Sequence, residues 1–394
     1  MDAYPKAALE RAMKVQEVIL RAIDGRMMWW EAAEILGVSY RTMRRWKWRY
    51  ERYGYDGLLD RRRQIPGPRR VPLQTVRQVL RLYREEYMDF NVRHFHEKLK
   101  EEHGIELSYQ WVKTALQTAG LVAKARKRGP HRKQRERRPM AGMMLMVDGS
   151  MHAWLPLLAG QKQDLILVMD DATSQVYTAY LVEEEGTLSV MKGLKEVIAK
   201  QGVFCSLYTD RGSHFFNTPK EGGPVNRRQL TQIGRALQQL GIEHIPSYSP
   251  QGRGRMERMF ETWQGRLPQE LRRAGIRSMA EANAYIRQTF LPNFNRRMTV
   301  KAREEGTCFV PCNVGDLETI FSAQHERVVQ NDNTVAVGSR RLQIEPSKWR
   351  FSFAKCRVKI CEHLDGTVSI RYGPHVIGRY PGPLNIPETL ESVA

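Results

Sequence analysis

The chain has 394 residues, of which 41% are hydrophobic, and its 63 Lys and Arg outnumber 43 Asp and Glu to give a net charge of +20. That composition excludes wholesale disorder, leaves room for several domains, and points to a polyanionic partner, with nucleic acid ahead of an anionic membrane. The apolar runs MMLMV and LILVM are too short to span a bilayer, the N-terminus has no apolar signal core, and five cysteines do not make a disulfide scaffold.

Residues 1–63 read as helical and basic. In MWWEAAEILGVSYRTMRRWKWRYERYG a short helix stops at Gly37, a residue suited to a left-handed turn, and Ser39 offers a hydroxyl cap to the next helix. On that second helix Met43, Trp46 and Tyr50 share one face. Arg41, Arg45, Trp48 and Arg52 share another, flanked by Arg44, Lys47 and Arg49, and a major groove is read by such a basic face. Ala33, Gly37, Met43 and Trp46 stand where helix-turn-helix proteins carry a small residue, the turn glycine and two core residues. Arg41, Arg44, Arg45, Trp48, Arg49 and Arg52 are therefore the candidate DNA contacts of this module.

After the breaker QIPGPRR, residues 70–121 repeat the pattern more weakly. A helix ends near Gly104, Ser108 caps the next, and Val112, Ala115 and Leu116 face inward. A second helix-turn-helix and a plain helical hairpin both fit. Residues 122–141 form a basic linker with nine Lys or Arg and one Glu, suited to a phosphate backbone or to a simple tether.

Residues 142–300 alternate strand-like and helix-like runs. MMLMVDGSMHAW reads as a buried strand carrying Asp148, and DLILVMDDATSQVYTAYLVEEE as two strands around a turn. TLSVMKGLKEVIAKQG is an amphipathic helix with Leu188, Met191, Leu194, Val197 and Ile198 inward. FCSLYTDRGSHF is a strand ending at Asp210, and the helix RRQLTQIGRALQQLG turns Leu230, Ile233, Leu237 and Leu240 inward. IEHIPSYSP is a fifth strand, followed by a long helix from about Gly254 through Leu271. Three antiparallel strands followed by crossover-linked parallel ones make a mixed five-stranded sheet covered by helices, an α/β core. Residues 308–382 turn strand-rich, with LDG as a hairpin turn, and are expected to form a small β-barrel. Arg340, Arg341, Lys348 and Arg350 would give it a basic face. Cys356 and Cys361 flank the strand-like RVKI at an odd separation, which points them to opposite faces and argues against a zinc site.

In such α/β sheets, residues at strand ends and adjoining helix termini converge on one crevice. Asp148, Asp210 and Glu257 can meet there although 62 and 47 positions separate them (210 − 148 and 257 − 210). Three carboxylates brought together repel unless a cation neutralises them, and oxygen-only donors select Mg²⁺ or Mn²⁺. Two such ions roughly 4 Å apart clamp an in-line displacement at phosphorus. Arg211 follows Asp210, and Arg253, Arg255 and Arg258 crowd the start of the Glu257 helix, where the helix dipole also favours phosphate. Gly252 and Gly254 would keep that approach open to a DNA strand. Glu261 is a weaker candidate ligand, Asp170 and Asp171 serve a turn, Asp164 is expected at the surface, His214 is a candidate for DNA or a metal-bound water, and Trp263 belongs to the core.

The segments VDGS, LYTDRGSHF and SPQGRGRMERMFETWQGRLPQELRRAGI resemble the three acid motifs of bacterial insertion-sequence DDE transposases with an integrase-type catalytic core, those of the ISNCY group above all. The resemblance implies a ribonuclease H-like fold, catalytic and metal-binding roles for Asp148, Asp210 and Glu257, and the use of two Mg²⁺ ions. It also implies hydrolysis at the element's ends followed by attack of the freed 3′-hydroxyl on target DNA. The partners would be double-stranded DNA, as terminal repeats and target, and further copies of the chain in a dimer or larger. No membrane is involved, and a bacterial cytoplasmic, nucleoid-associated location is expected. A catalytically inactive DNA-binding regulator and a metal-dependent nuclease without strand transfer are the competing expectations. The Asp210–Glu257 spacing exceeds that of retroviral integrases, with NTPKEGGPVNRR holding the extra residues as a loop, and no zinc-binding N-terminal domain is present.

Overall fold

The computed structural model describes residues 4–60, 70–124, 135–158, 160–219, 223–312, 316–338, 340–347 and 350–382. Lys348, the middle of the basic linker, the tip of the NTPKEGGPVNRR loop and the closing LNIPETLESVA lie outside them. The chain divides into two compact units, residues 1–81 and 82–394.

The first unit contains α1 (Lys6–Ile23), α2 (Trp29–Ile35) and α3 (Tyr40–Tyr53). A helix as short as α2 does not persist alone; burial holds it. Its Ala32 and Ala33 pack with Val15, Val18 and Ile19 of α1 and Met43 of α3 in one core, with Trp46 and Tyr50 at the margin. Gly37 turns the chain at φ +63°, and the Ser39 hydroxyl accepts from the Thr42 amide at 3.3 Å. The helix-turn-helix geometry is therefore set by one glycine and one cap.

Helix α4 (Leu73–Glu85) carries the chain across the division. In the second unit, α5 (Val92–His103) is capped by Asn91 and stopped by Gly104 in the left-handed region. Ser108 caps α6 (Tyr109–Thr118). Val112 and Leu116 are buried, and Ala115 is half-buried.

A five-stranded mixed sheet follows: β1 (Leu145–His152), β2 (Gln163–Asp170), β3 (Val176–Val182), β4 (Ser206–Thr209) and β5 (Glu243–Pro246), in the order β3-β2-β1-β4-β5. β1, β2 and β3 are antiparallel, and β4 and β5 run parallel to β1. The period-2 alternation of strands sorts their side chains onto two cores. Leu145, Val147, Ile166 and Val168 pack with α7 (Thr187–Gln201) and α8 (Gln232–Gln239). Met146, Leu165, Leu167 and Met169 pack with α9 (Pro250–Gln264), α10 (Leu267–Arg273), α11 (Met279–Tyr285) and α12 (Leu291–Met298). β2 is buried along its whole length because helices cover it on both sides. The result is an α/β core with a mixed sheet covered by helices on both faces.

Several expectations change in detail. Leu188 and Leu230 are exposed rather than inward: Leu188 lies in the first turn of α7, and Leu230 precedes the Thr231 cap of α8. The long helix starts at Pro250, with Ser249 as its cap, and breaks at Gly265. Trp263 is fully buried in the core.

The last region comprises α13 (Leu317–Ile320), β6 (Ala323–Val328), β7 (Thr334–Val337), β8 (Arg340–Gln343), β9 (Arg357–Glu362), β10 (Val368–Tyr372) and β11 (His375–Tyr380). The expected β-barrel is not closed among the described residues. β11-β10-β9-β6 form one antiparallel sheet, and β7-β8 form a separate hairpin. The two share a core of Val335, Leu342, Val358, Ile360 and Ile370. Face-to-face packing covers the apolar side, so no strand pairing is needed to close it. No helix among the described residues is long and apolar enough to cross a membrane.

Candidate active site

Strand alternation decides which acids can meet. Met146 of β1 points into the core beneath α9, so Asp148 and Ser150, two and four residues on, face the same side. Tyr208 of β4 packs against that core too, so Asp210 follows it to the α9 side. Met146 is paired with Tyr208 across the parallel strands. Continuing that register by two residues sets Asp148 level with Asp210 on strands about 4.8 Å apart.

Helix α9 closes the site. The Arg253 guanidinium is ion-paired with the Asp148 carboxylate and lies 3.7 Å from Asp210 Oδ2. Eleven residues further along α9, Gln264 Nε2 donates to Ser150 Oγ at 3.1 Å. Glu257 lies between these anchors in sequence, one turn after Arg253, and is exposed. Burial alone would lower the Arg253 pKa, but Asp148, then Asp210 and Glu257, raise it. The structure thus brings Asp148 and Asp210 to one guanidinium, while Glu257, exposed one turn further along α9, adds its charge.

Asp148 is 8% exposed. Burial pushes its carboxyl up to about 6; Arg253 opposes the rise, and the neighbouring Glu185 and Asp210 add to it. Asp210 Oδ1 accepts from the Gly212 amide at 2.9 Å, which holds the turn after β4.

Glu185 escaped sequence reasoning. It follows β3 in an acidic run with no periodic signal, yet its side chain lies over Gly149, where a Cβ would collide with it. Its Oε1 is 3.3 Å from His214 Nε2. Asp164, expected at the surface, is buried, and its Oδ2 accepts from the Glu185 amide at 2.9 Å.

Asp170 does the turn chemistry expected of it, accepting from the Thr173 amide at 2.8 Å and from the Gly142 amide at 2.8 Å. Asp171 does more. Fully buried, it is ion-paired with both Arg135 and Arg255 and accepts from the Arg138 amide at 2.8 Å. Arg255, expected on DNA phosphate, therefore points into the protein and fastens the end of the basic linker beside α9. Arg258 is exposed, its Nε donating to the Gly254 carbonyl of the preceding turn at 3.0 Å. Arg211 donates to the Gly223 carbonyl at 2.7 Å and lies 5.0 Å over the Tyr248 ring.

In the first unit Arg41, Arg44, Arg45, Arg49 and Arg52 are exposed on α3. Trp48 is exposed among them, with the Arg52 guanidinium 5.3 Å from its ring.

Among the described residues, no three His, Cys, Asp or Glu side chains already surround one point as metal ligands, and the five cysteines are free thiols. The donor set nonetheless fits a hard divalent ion. Asp148 and Asp210 offer oxygen ligands from adjacent strands, and the cation now between them is a guanidinium.

A helix-turn-helix domain family matches residues 16–64, and a homeodomain-like domain family matches residues 42–116. The chain is 28% identical over 373 residues to the transposase y4bF of Sinorhizobium fredii, covering 94% of this chain and 80% of that one. It is 26% identical over 392 residues to the transposase for insertion sequence IS1202 of Streptococcus pneumoniae, covering 89% and 82%. The chain is thus similar along most of its length to two transposases. It also aligns with a solved chain of the simian T-cell lymphotropic virus intasome in complex with PP2A regulatory subunit B56 gamma, over 72% of this chain and 91% of that one, at 15% identity and TM-score 0.34. The sequence matches support a transposase with helix-turn-helix DNA-binding elements.

Proposed function

We propose that Asp148, Asp210 and Glu257 are the catalytic acids and hold a pair of divalent ions, Mg²⁺ or Mn²⁺. The carrying observation is that Asp148 on β1 and Asp210, just past the end of the neighbouring parallel strand β4, both lie at the Arg253 guanidinium of α9. Bound divalent ions supply charge neutralisation at the attacking and leaving oxygens of phosphoryl transfer. The protein's own part is positioning. The sheet keeps the two aspartates near one another, and Glu257 would join them from α9, one turn after Arg253. The exposed Arg258 offers a guanidinium for DNA phosphate beside the acids.

In this reading α3 engages the element's terminal repeat through Arg41, Arg44, Arg45, Trp48, Arg49 and Arg52. Residues 1–63 and 70–121 are the DNA-binding modules, 142–300 the catalytic domain, and 308–382 a further DNA or subunit contact. Water attacks the phosphodiester at the element's end, and the bond to the leaving 3′-oxygen breaks. The freed 3′-hydroxyl then attacks a target phosphodiester, forming a new bond to its phosphorus while the bond to the target's 3′-oxygen breaks and that oxygen leaves as a 3′-hydroxyl. Joining two ends calls for a dimer or larger.

Incubating the protein with Mg²⁺, supercoiled target and DNA carrying the sequences that flank its gene should yield joined products. Nicks alone would indicate a nuclease, and binding alone a regulator. Asp210→Asn should abolish joining and leave end binding intact; joining retained by that variant sinks the assignment.

A further inference from the structure

Two carboxylates on neighbouring strands, one of them buried, are costly without a positive charge. Here the charge comes from the chain itself, as the Arg253 guanidinium reaches Asp148 and Asp210 together. We propose that Arg253 is a resident counter-cation of the acid pocket: a divalent ion must displace it, and the displaced guanidinium then takes a DNA phosphate. This rests on the metal reading of Asp148 and Asp210.

A guanidinium and a divalent ion repel one another and compete for the same oxygens, so the pocket holds one or the other. Arg253 is built to leave. Its side chain is 31% exposed, on a flexible stem in the first turns of α9. Arg255, two residues on, is built to stay: it is 11% exposed, pairs with a fully buried Asp171 and also donates to the Arg135 carbonyl. Once displaced, Arg253 sits one helical turn from Glu257, where the reacting phosphate would lie. A planar guanidinium off a carboxylate finds its best alternative partner in a phosphate. Metal binding and DNA contact are thereby coupled through one side chain, and the acids are not left bare between reactions.

The test is Mn²⁺ binding to the full chain, followed by the electron paramagnetic resonance signal of free Mn²⁺. Arg253→Gln should bind Mn²⁺ about tenfold more tightly than wild type or better, since a competing charge is gone. Lys301→Gln, which removes one positive charge at an exposed helix-external pair, should not change it. Equal affinity in Arg253→Gln and wild type, or the same gain in Lys301→Gln, overturns the proposal. If Arg253→Gln does not fold, Arg253→Lys takes its place. A single ammonium does not span both carboxylates as well, so tighter Mn²⁺ binding is again expected, and unchanged binding overturns the idea. Asp148→Asn and Asp210→Asn should each lose the site. If they bind Mn²⁺ like wild type, the metal reading itself has failed, which is a different outcome from an inert Arg253. For the second half, DNA affinity is measured against salt with and without Ca²⁺. Arg253→Gln should flatten the log–log slope by about one relative to wild type with Ca²⁺ present, and leave it unchanged without it. The same slope change under both conditions, or none under either, overturns displacement onto phosphate.

Discussion

A Cβ placed on Gly252 would collide with the Tyr208 hydroxyl, which bonds Ser247 Oγ at 2.8 Å. A Cβ on Gly254, one residue further along α9 after Arg253, would meet nothing. Gly252→Ala should therefore cost about 1–3 kcal/mol through overpacking, while Gly254→Ala should stabilise the helix by about 0.5–1 kcal/mol. Urea denaturation of the two variants checks this, and shifts of the same sign would contradict it. From the sequence both glycines had one explanation, an open approach for DNA. Their difference lies in a tyrosine more than forty positions away (252 − 208), which no local pattern reveals. Glu185 and Asp164 escaped for the same reason: their partners are made by the fold.

At the scale of elements, α5 is held to the α10–α12 layer by charge. Glu97 pairs with Arg266 at 2.6 Å and Arg297 at 3.2 Å, and Glu102 with Arg273 at 2.5 Å. At the centre Glu270 meets His94 at 2.8 Å, Lys98 at 2.8 Å and the Tyr285 hydroxyl at 3.0 Å. Burial pushes Glu270 up, but hydrogen bonds from His94 and Lys98 outweigh it and hold the carboxyl at about 2, against an ordinary 4.5. Burial lowers His94 from its ordinary 6.5, against the opposing pull of Glu270. Its Nε2–H donates to Glu270 while Nδ1 has no partner. Both groups hold more protons unfolded than folded, so both make stability rise with pH. The His94 contribution is complete above 6.5 and erodes as pH falls below it. The Glu270 contribution is complete above 4.5 and is lost as pH falls towards 2. Glu270→Gln should cost about 1.5–3 kcal/mol at neutral pH, because charged hydrogen bonds to Glu270 are weakened while Lys98 keeps only Glu102, at 3.0 Å. The gap from wild type should close below pH 4.5. Melting temperature against pH for the two proteins measures it, and a constant gap would rule the account out. The α5 and α6 helices were legible from Gly104 and Ser108; their docking was not, because its ion pairs join residues more than 160 positions apart (266 − 97 = 169).

For the whole molecule the surplus of +20 is unevenly available. Arg135, Arg255, Arg266, Arg273 and Arg297 are neutralised by carboxylates inside the fold. Arg41, Arg44, Arg45, Arg49 and Arg52 on α3 pair with no carboxylate among the described residues and stay exposed. DNA affinity should fall steeply with salt, with a log–log slope of about −0.9 per phosphate contact. Arg45→Ala or Arg49→Ala should flatten that slope by about one, and Arg297→Ala should leave it unchanged. A flat response in wild type, or equal effects of all three substitutions, would contradict a contact surface centred on α3.

Local rules were sufficient wherever a few adjacent residues decide the outcome: the Gly37 turn, the Ser39 cap, and the alternation that makes β1 and β2 buried strands. They failed where the outcome depends on how elements assemble. The strand-rich end became two packed sheets instead of a barrel, because a shared core covered its apolar faces. Arg253 and Arg255, two residues apart in one basic stretch, took different partners because a helix turns them about 200° from each other. Periodicity is a property of neighbours in sequence, whereas ion pairs and packing belong to neighbours in space, and the sheet order that brings Asp148 beside Asp210 exists only once the chain has folded.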